Sequence, residues 1–314
     1  MAQFIKTFKQ LSKKDVKIAG GKGASLGELT KAGIPVPPGF VVETGAFDRF
    51  LEETDLFQDI KAQLKKINYR DVSSVDKSSH IIRDLIHDVE MPKDIAKEIT
   101  NEFKKLGARY VAVRSSATAE DSSVASWAGE LESYLNTTEK MLLTNVKKCW
   151  SSLFTPRAIF YRKENKLHQS HVSVAVVVQK MVESVISGIC FTVHPVTQDR
   201  KQMIIEAGWG LGEAIVSGQI TPDSYVLEKT KLSILDINTN SQKKQIVKNT
   251  KGGNKWVAVP KGKQGKQILS GKQIIELAEI CLKIEKHYKK PQDIEWAYAN
   301  NKFYIVQSRP ITTL

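Results

Sequence analysis

The sequence predicts an α+β fold, because helix-forming patterns dominate its early part and strand-forming runs its late part. Helical spacing of apolar residues prevails from about Gly23 to Gly107 and returns through Leu167, whereas the runs beyond that point are mostly Val- and Ile-rich strands. At 314 residues and 41% hydrophobic, the chain can bury a large core in one or two domains. A boundary near residues 185–195 is expected, with one subdomain over 1–190 and a second over 191–314.

Taken in order, "AGGKGASLGEL" (Ala19 to Leu29) places glycines on both sides of Lys22 ahead of a helix. Glycine lets a backbone approach a ligand closely, and a helix N-terminus offers unpaired N–H groups to an anion. The spacing is not that of a Walker A loop, and an ordinary glycine turn with a surface lysine fits it as well. "IPVPPGFVV" is a proline-punctuated turn leading into a short strand. "YVAVRSS" (Tyr110 to Ser116) reads as a buried strand ending near Arg114, whose planar fork suits a phosphate. The Ser-, Ala- and Asp-rich loop beyond it, closed by Gly129 and Ser133, could wrap over a ligand or be plain surface.

"VSVAVVVQKMV" and "ISGICFTV" are two further strands. "IIEAGWGLGEAIVSGQITPDSY" carries a Gly-x-Gly-x-Gly without the βαβ setting of a dinucleotide fold. Its Glu206 and Glu213 could serve a metal or a ribose, or simply the structure. His194, before a proline, reads as structural. An amphipathic helix from Gln273 to Lys289 opens with Ser270 and Gln273 at capping-box spacing and carries Ile274, Leu277, Ala278, Cys281, Ile284 and Tyr288 as its apolar stripe.

"DIEWAYANNKFYIVQSRP" (Asp293 to Pro310) is a hairpin with an Asn-Asn turn. A three-residue turn would set Ala299 opposite Phe303, Ala297 opposite Ile305 and Glu295 opposite Gln307, with Arg309 on the same face. A two-residue turn would send Glu295 and Gln307 to opposite faces and dissolve the cluster.

Composition excludes several classes. No apolar run approaches the ~18–20 residues of a transmembrane helix, and "MAQFIKTFKQ" has no signal-peptide core. Three cysteines, far apart and never in CxxC spacing, indicate neither a disulfide framework nor a zinc site. A cytoplasmic protein without a membrane partner is expected. Much of the +13 net charge lies between Lys229 and Lys272, but a single aromatic residue there, Trp256, argues for a solvated basic face and against nucleic acid.

Together, and in this order, "GGKGASLGEL", "PVPPGFVV", "VAVRSSATAEDSS", "SLFTPRAIFYR", "VVVQKMV", "WGLGEAIVSG" and "DIEW…FYIVQSRPIT" resemble the N-terminal ATP-binding domain of the phosphoenolpyruvate synthase, pyruvate phosphate dikinase and rifampicin phosphotransferase family. The resemblance implies an ATP-grasp-like architecture with the nucleotide between two subdomains. It implies that Lys22 and Arg114 contact ATP phosphates, and that Gly129 and Ser133 belong to the covering loop. Gln179 would border adenine, with backbone groups at Met181 and Val182. Glu295 and Gln307 would hold Mg²⁺, and Arg309 would reach the terminal phosphates.

The implied chemistry passes phosphate from Mg-ATP to a histidine on a separate swivelling domain, which delivers it to an acceptor. The sequence stops four residues after Pro310 and carries no phosphohistidine motif, so that domain is expected downstream or on another subunit. A synthase-type phosphotransferase is the first expectation. A rifampicin-inactivating enzyme is the second, and a non-catalytic nucleotide-binding module the third.

Overall fold

The computed structural model describes residues 4–118, 121–122, 125–126, 131–165, 173–250 and 252–312. The chain divides into two compact units, Met1–Glu28 with Pro38–Met181 and Leu29–Pro37 with Val182–Leu314. Both mix helix and sheet, so the α+β expectation holds. Among the described residues no helix is long and apolar enough to cross a membrane.

In the first unit the strands are β1 (Ile5–Thr7), β2 (Gly39–Val42), β3 (Val111–Ala117), the short pair β4 (Asp121–Ser122) and β5 (Ala125–Ser126), β6 (Ser133–Thr137) and β7 (Val174–Lys180). Apart from the short pair they form one antiparallel sheet in the order β1-β2-β7-β3-β6. The helices are α1 (Val16–Lys31, which runs on into the second unit's residues), α2 (Thr44–Glu53), α3 (Leu56–Lys65), α4 (Val72–Asp88), α5 (Lys93–Leu106), α6 (Glu139–Ser151) and α7 (Pro156–Glu164). Local chemistry sets their ends. Asp71 caps α4 by accepting from Ser73 N–H, Thr155 caps α7 ahead of its N-terminal proline, and Gly107 closes α5 with φ +60°.

Alternation splits this sheet into two faces. Phe40, Val42, Val111, Val113, Val176 and Val178 enter the main core with side chains from α2, α4, α5 and α6, centred on Trp150 against Phe47 and Phe50. Val41, Ala112, Arg114, Ser116, Val177 and Gln179 take the other face, as the pairings Val41 with Val177, Ala112 with Gln179 and Arg114 with Val177 require. Helix α1 packs there, since a Cβ added at Gly23 would stand 3.0 Å from a Val41 methyl.

The second unit holds β8 (Ile186–Phe191), β9 (Gln202–Trp209), β10 (Asp223–Glu228), β11 (Ser233–Asn238), β12 (Lys244–Lys248), β13 (Asn254–Ala258), β14 (Gln292–Ala299) and β15 (Lys302–Pro310), with α8 (Glu213–Val216) and α9 (Gly271–Tyr288). Six strands form an antiparallel sheet in the order β11-β10-β9-β8-β14-β15, and β12 pairs with β13. The capping box at Ser270 and Gln273 is present. Ile274, Leu277, Ala278, Cys281 and Ile284 are buried as the helical stripe requires, in one core with the row Ile294, Cys190, Ile205, Tyr225. Pro35 C=O accepts from Ile305 N–H at 2.9 Å, so the segment Leu29–Pro37 shields part of the outer edge of β15.

The β14–β15 hairpin corrects the three-residue-turn register. Its turn uses two residues, Asn300 and Asn301, both left-handed at φ +51° and +58°, so Ala299 pairs with Lys302. Asparagine tolerates that conformation, which the tight hairpin turn demands. A bulge then inserts Val306, so that Trp296 pairs with Ile305 but Glu295 pairs with Gln307. Trp296, Phe303 and Ile305 thereby stay in the core while Glu295, Gln307 and Arg309 share the opposite face.

Strand β8 can lie between β9 and β14 because position 188 is glycine: a Cβ there would stand 1.8 Å from Glu206 O and 2.6 Å from the Trp296 ring. Gly188→Ala is therefore expected to cost the fold more than about 3 kcal/mol, measured as a fall in the denaturation midpoint.

Candidate functional site

The first unit gathers its candidate residues on the sheet face under α1. The helix is broken at Gly20, which takes φ +65° and ψ 175°, so Lys22 stands in the first turn of a second helical segment. The fully buried Ser116 fills the break: its hydroxyl donates to Ala19 C=O at 2.9 Å and accepts from Gly23 N–H at 3.2 Å. One of the N–H groups expected to be open at this helix start is thus engaged by β3 instead. Only glycine fits at position 20, where a Cβ would stand 2.2 Å from Ser116 O.

Arg114 lies two residues before Ser116 on the same face of β3, directly opposite Ser133 of β6. Residues on either side of Ser133 are held firmly. Arg83 Nη2 donates to both Glu132 carboxylate oxygens at 2.9 and 3.1 Å, and Tyr134 OH donates to one of them. The Glu132 carbonyl accepts from Ser115 N–H at 3.2 Å and Ser115 Oγ at 2.5 Å. Burial, helped by the hydrogen bond to Glu132, pushes the Tyr134 phenol above its usual range. Burial also raises the neighbouring Cys149 thiol, against a hydrogen bond from Ser115 and the nearby Lys22 charge.

Gln179, on β7, shares this face opposite Ala112. It is almost fully buried, and its Nε2 has no hydrogen-bond partner among the described residues. A buried donor left in that condition is costly unless a ligand supplies the acceptor. Beyond it, Met181 N–H is taken by Tyr110 C=O at 3.1 Å and Val182 C=O by Ser184 N–H at 2.8 Å. Gly129 lies outside the described residues.

The second unit gathers its polar groups on the sheet face opposite α9. Register places Gln307, Glu295, Ile189 and Glu206 in one row across β15, β14, β8 and β9. The next row sets Arg309 opposite Asp293, and Arg309 Nε and Nη2 both donate to Asp293 Oδ2, at 2.9 and 2.6 Å. Asp293 was missed by sequence reasoning, although it stands inside the quoted hairpin motif. Its partnership with Arg309 depends on a register that the bulge sets. Burial holds the Asp293 carboxyl above the usual range, countered by Arg309 and reinforced by the Glu295 charge. Burial likewise raises Glu206, with a contribution from Asp293. Among the described residues no cluster of three or more His, Cys, Asp or Glu side chains could hold a metal ion.

Other residues singled out by sequence are used differently. His194 Nδ1 accepts from Val196 and Thr197 N–H at 3.3 and 3.2 Å, stapling its own turn. Glu213 accepts from Asn254, tying α8 to the β12–β13 hairpin. Trp256 is covered by Lys244, whose Nζ lies 4.4 Å from the ring centroid.

The family described as pyruvate phosphate dikinase, AMP/ATP-binding domain, matches residues 16–314. A probable phosphoenolpyruvate synthase of Methanocaldococcus jannaschii is 47% identical over 99% of this chain and 27% of its own length. The phosphoenolpyruvate synthase of Pyrococcus furiosus is 43% identical over 99% of this chain and 44% of its own. A rifampicin phosphotransferase of Bacillus subtilis is 40% identical over 100% and 36%. The chain thus spans less than half the length of these curated relatives.

The raised carboxyls on the second unit's polar face have a pH signature. Glu206 and Asp293 bind their protons more tightly folded than unfolded, so their contribution to stability is greatest at low pH and is lost as pH rises through the raised values. Glu206→Gln removes one such charge. Its melting temperature relative to the parent should climb from about pH 4 to pH 7, ending a few degrees above it, as followed by circular dichroism.

Proposed function

Because this chain belongs to the pyruvate phosphate dikinase AMP/ATP-binding domain family, we propose that it is the ATP-binding, phosphoryl-donating part of a phosphoenolpyruvate synthase-type phosphotransferase. The observation that carries the reading is the convergence, on one sheet face of the first unit, of the Lys22 turn, Arg114, Ser133 and the buried Gln179 Nε2, which has no hydrogen-bond partner among the described residues. Lys22 supplies a point charge to the β and γ phosphates, and Arg114 a planar fork. Gly129 belongs to the loop over them. Ser133, the first residue of β6 and paired with Arg114, is not part of a covering loop but borders the phosphates from the strand. Gln179 donates toward the base, and the Met181 carbonyl with the Val182 N–H serve its edge.

In the second unit Glu295 and Gln307 are the Mg²⁺ ligands of this reading. Both offer hard oxygen donors and they stand directly opposite each other. One carboxylate and one amide suit an ion that usually keeps phosphate oxygens and water for the rest of its sphere. Mg²⁺, when bound, neutralises charge on the phosphates. Arg309, oriented by Asp293, faces the terminal phosphates, so that positive groups hold the transferred phosphoryl in line and stabilise its charge.

The acceptor in this reading is a histidine on a swivelling domain, which passes the phosphate onward. The full system would convert ATP, pyruvate and water to AMP, phosphoenolpyruvate and phosphate. Identity of 40% to a rifampicin phosphotransferase supports a second reading with the same donor half and an antibiotic hydroxyl as final acceptor. The described cysteines are free and buried, which suits a reducing, cytoplasmic setting.

Calorimetry on residues 1–314 tests the donor half. Lys22→Ala is expected to weaken ATP about tenfold or more and AMP hardly at all, because the lysine acts on phosphates that AMP lacks. Equal losses would place Lys22 elsewhere. Glu295→Gln should keep the fold and remove the Mg²⁺-dependent part of ATP affinity; an unchanged Mg²⁺ dependence would dismiss the metal site. Label from γ- or β-phosphate-labelled ATP should move to a family histidine domain added in trans, and its absence would reject the proposed acceptor.

A further inference from the structure

Two sequence motifs far apart in the chain meet at one hydroxyl. Ser116 belongs to the Arg114 strand, and the Lys22 turn is 94 residues earlier, counted as 116 − 22. At Gly20 the helix ladder fails, because a residue at φ +65° and ψ 175° cannot continue the i to i+4 bonds. A carbonyl before the break and an N–H after it then need outside partners. The Ser116 hydroxyl satisfies one of each at once, as donor to Ala19 and acceptor from Gly23. Because it is fully buried, no solvent can replace it there.

The consequence concerns Lys22, which lies between the two bonded residues. Ala19 and Gly23 bracket the start of the second helical segment, so fixing both fixes the direction in which position 22 leaves the backbone. The same bonds tie that direction to β3, where Arg114 stands two residues away on the same face, roughly 7 Å along the strand. We propose that Ser116 is the positioning residue of Lys22, holding the lysine in fixed relation to Arg114 through the broken helix. Ser116 touches no nucleotide in this assignment. It acts through Lys22, and it rests on the reading that Lys22 and Arg114 bind ATP phosphates.

A coupling cycle tests it. Ser116→Ala, Lys22→Ala and the double variant of residues 1–314 are titrated with Mg-ATP and with AMP. Ser116→Ala should lose ATP affinity about five- to tenfold and AMP affinity less than about twofold, with the ATP loss vanishing in the Lys22→Ala background. Equal loss of ATP and AMP would overturn the assignment and reduce Ser116 to a packing role. So would an ATP loss that persists in full without Lys22. Should the alanine variant not retain the parent circular dichroism spectrum, Ser116→Cys takes its place, keeping most of the volume and weakening both bonds. If Lys22→Ala leaves the preference for ATP over AMP unchanged, the phosphate role of Lys22 is what fails, and the inference falls with it.

Discussion

Each unit depends on the period-two alternation of its sheet, which commits one face to apolar packing and leaves the other for chemistry. In the first unit the valines of β2, β3 and β7 feed the core around Trp150, and Arg114, Ser116 and Gln179 take the reverse side. In the second, Ile294 and Trp296 go under α9 while Glu295 and Asp293 go the other way. A slip of one residue in either sheet would exchange the two sets, burying charge and exposing the core. Packing of the apolar face is therefore what aims the polar groups.

Much of this was legible in the sequence. The runs around Val113 and Val177 are dense in β-branched residues, and the apolar stripe of α9 repeats at helical spacing behind a capping box. The glycines around Lys22 marked a backbone that must do something unusual. What the sequence could not show was long-range pairing. The kink at Gly20 is explained by a serine supplied from β3, and no local pattern announces that. In the hairpin the expected Glu295–Gln307 pair is present, but the turn is one residue shorter than expected, for a related reason. A three-residue turn was needed to pair Glu295 with Gln307 in an unbroken ladder, and the inserted Val306 that does so with a two-residue turn has no signature in propensity.

Both faces also show how placement is shared between groups that would touch a ligand and groups that hold them. Glu132, gripped by Arg83 and Tyr134, fixes the strand beside Ser133, and Asp293 orients Arg309. These carboxylates look like ordinary loop and strand acids in the sequence. Their roles follow from partners 49 and 16 residues away.

The allocation of Leu29–Pro37 to the second unit has a consequence for biosynthesis. These nine residues leave the ribosome some 270 residues (305 − 35) before Ile305, the residue to which Pro35 bonds. The first unit can close its sheet once β7 has emerged, whereas the second must wait for β15 before this early segment finds its place. Until then Ile34 and Val36 lack the core they pack against, and apolar surface left open in this way favours aggregation. A polypeptide starting at Val182 would never recover the segment. Part of the outer edge of β15 would remain open, and such fragments would tend to associate edge to edge.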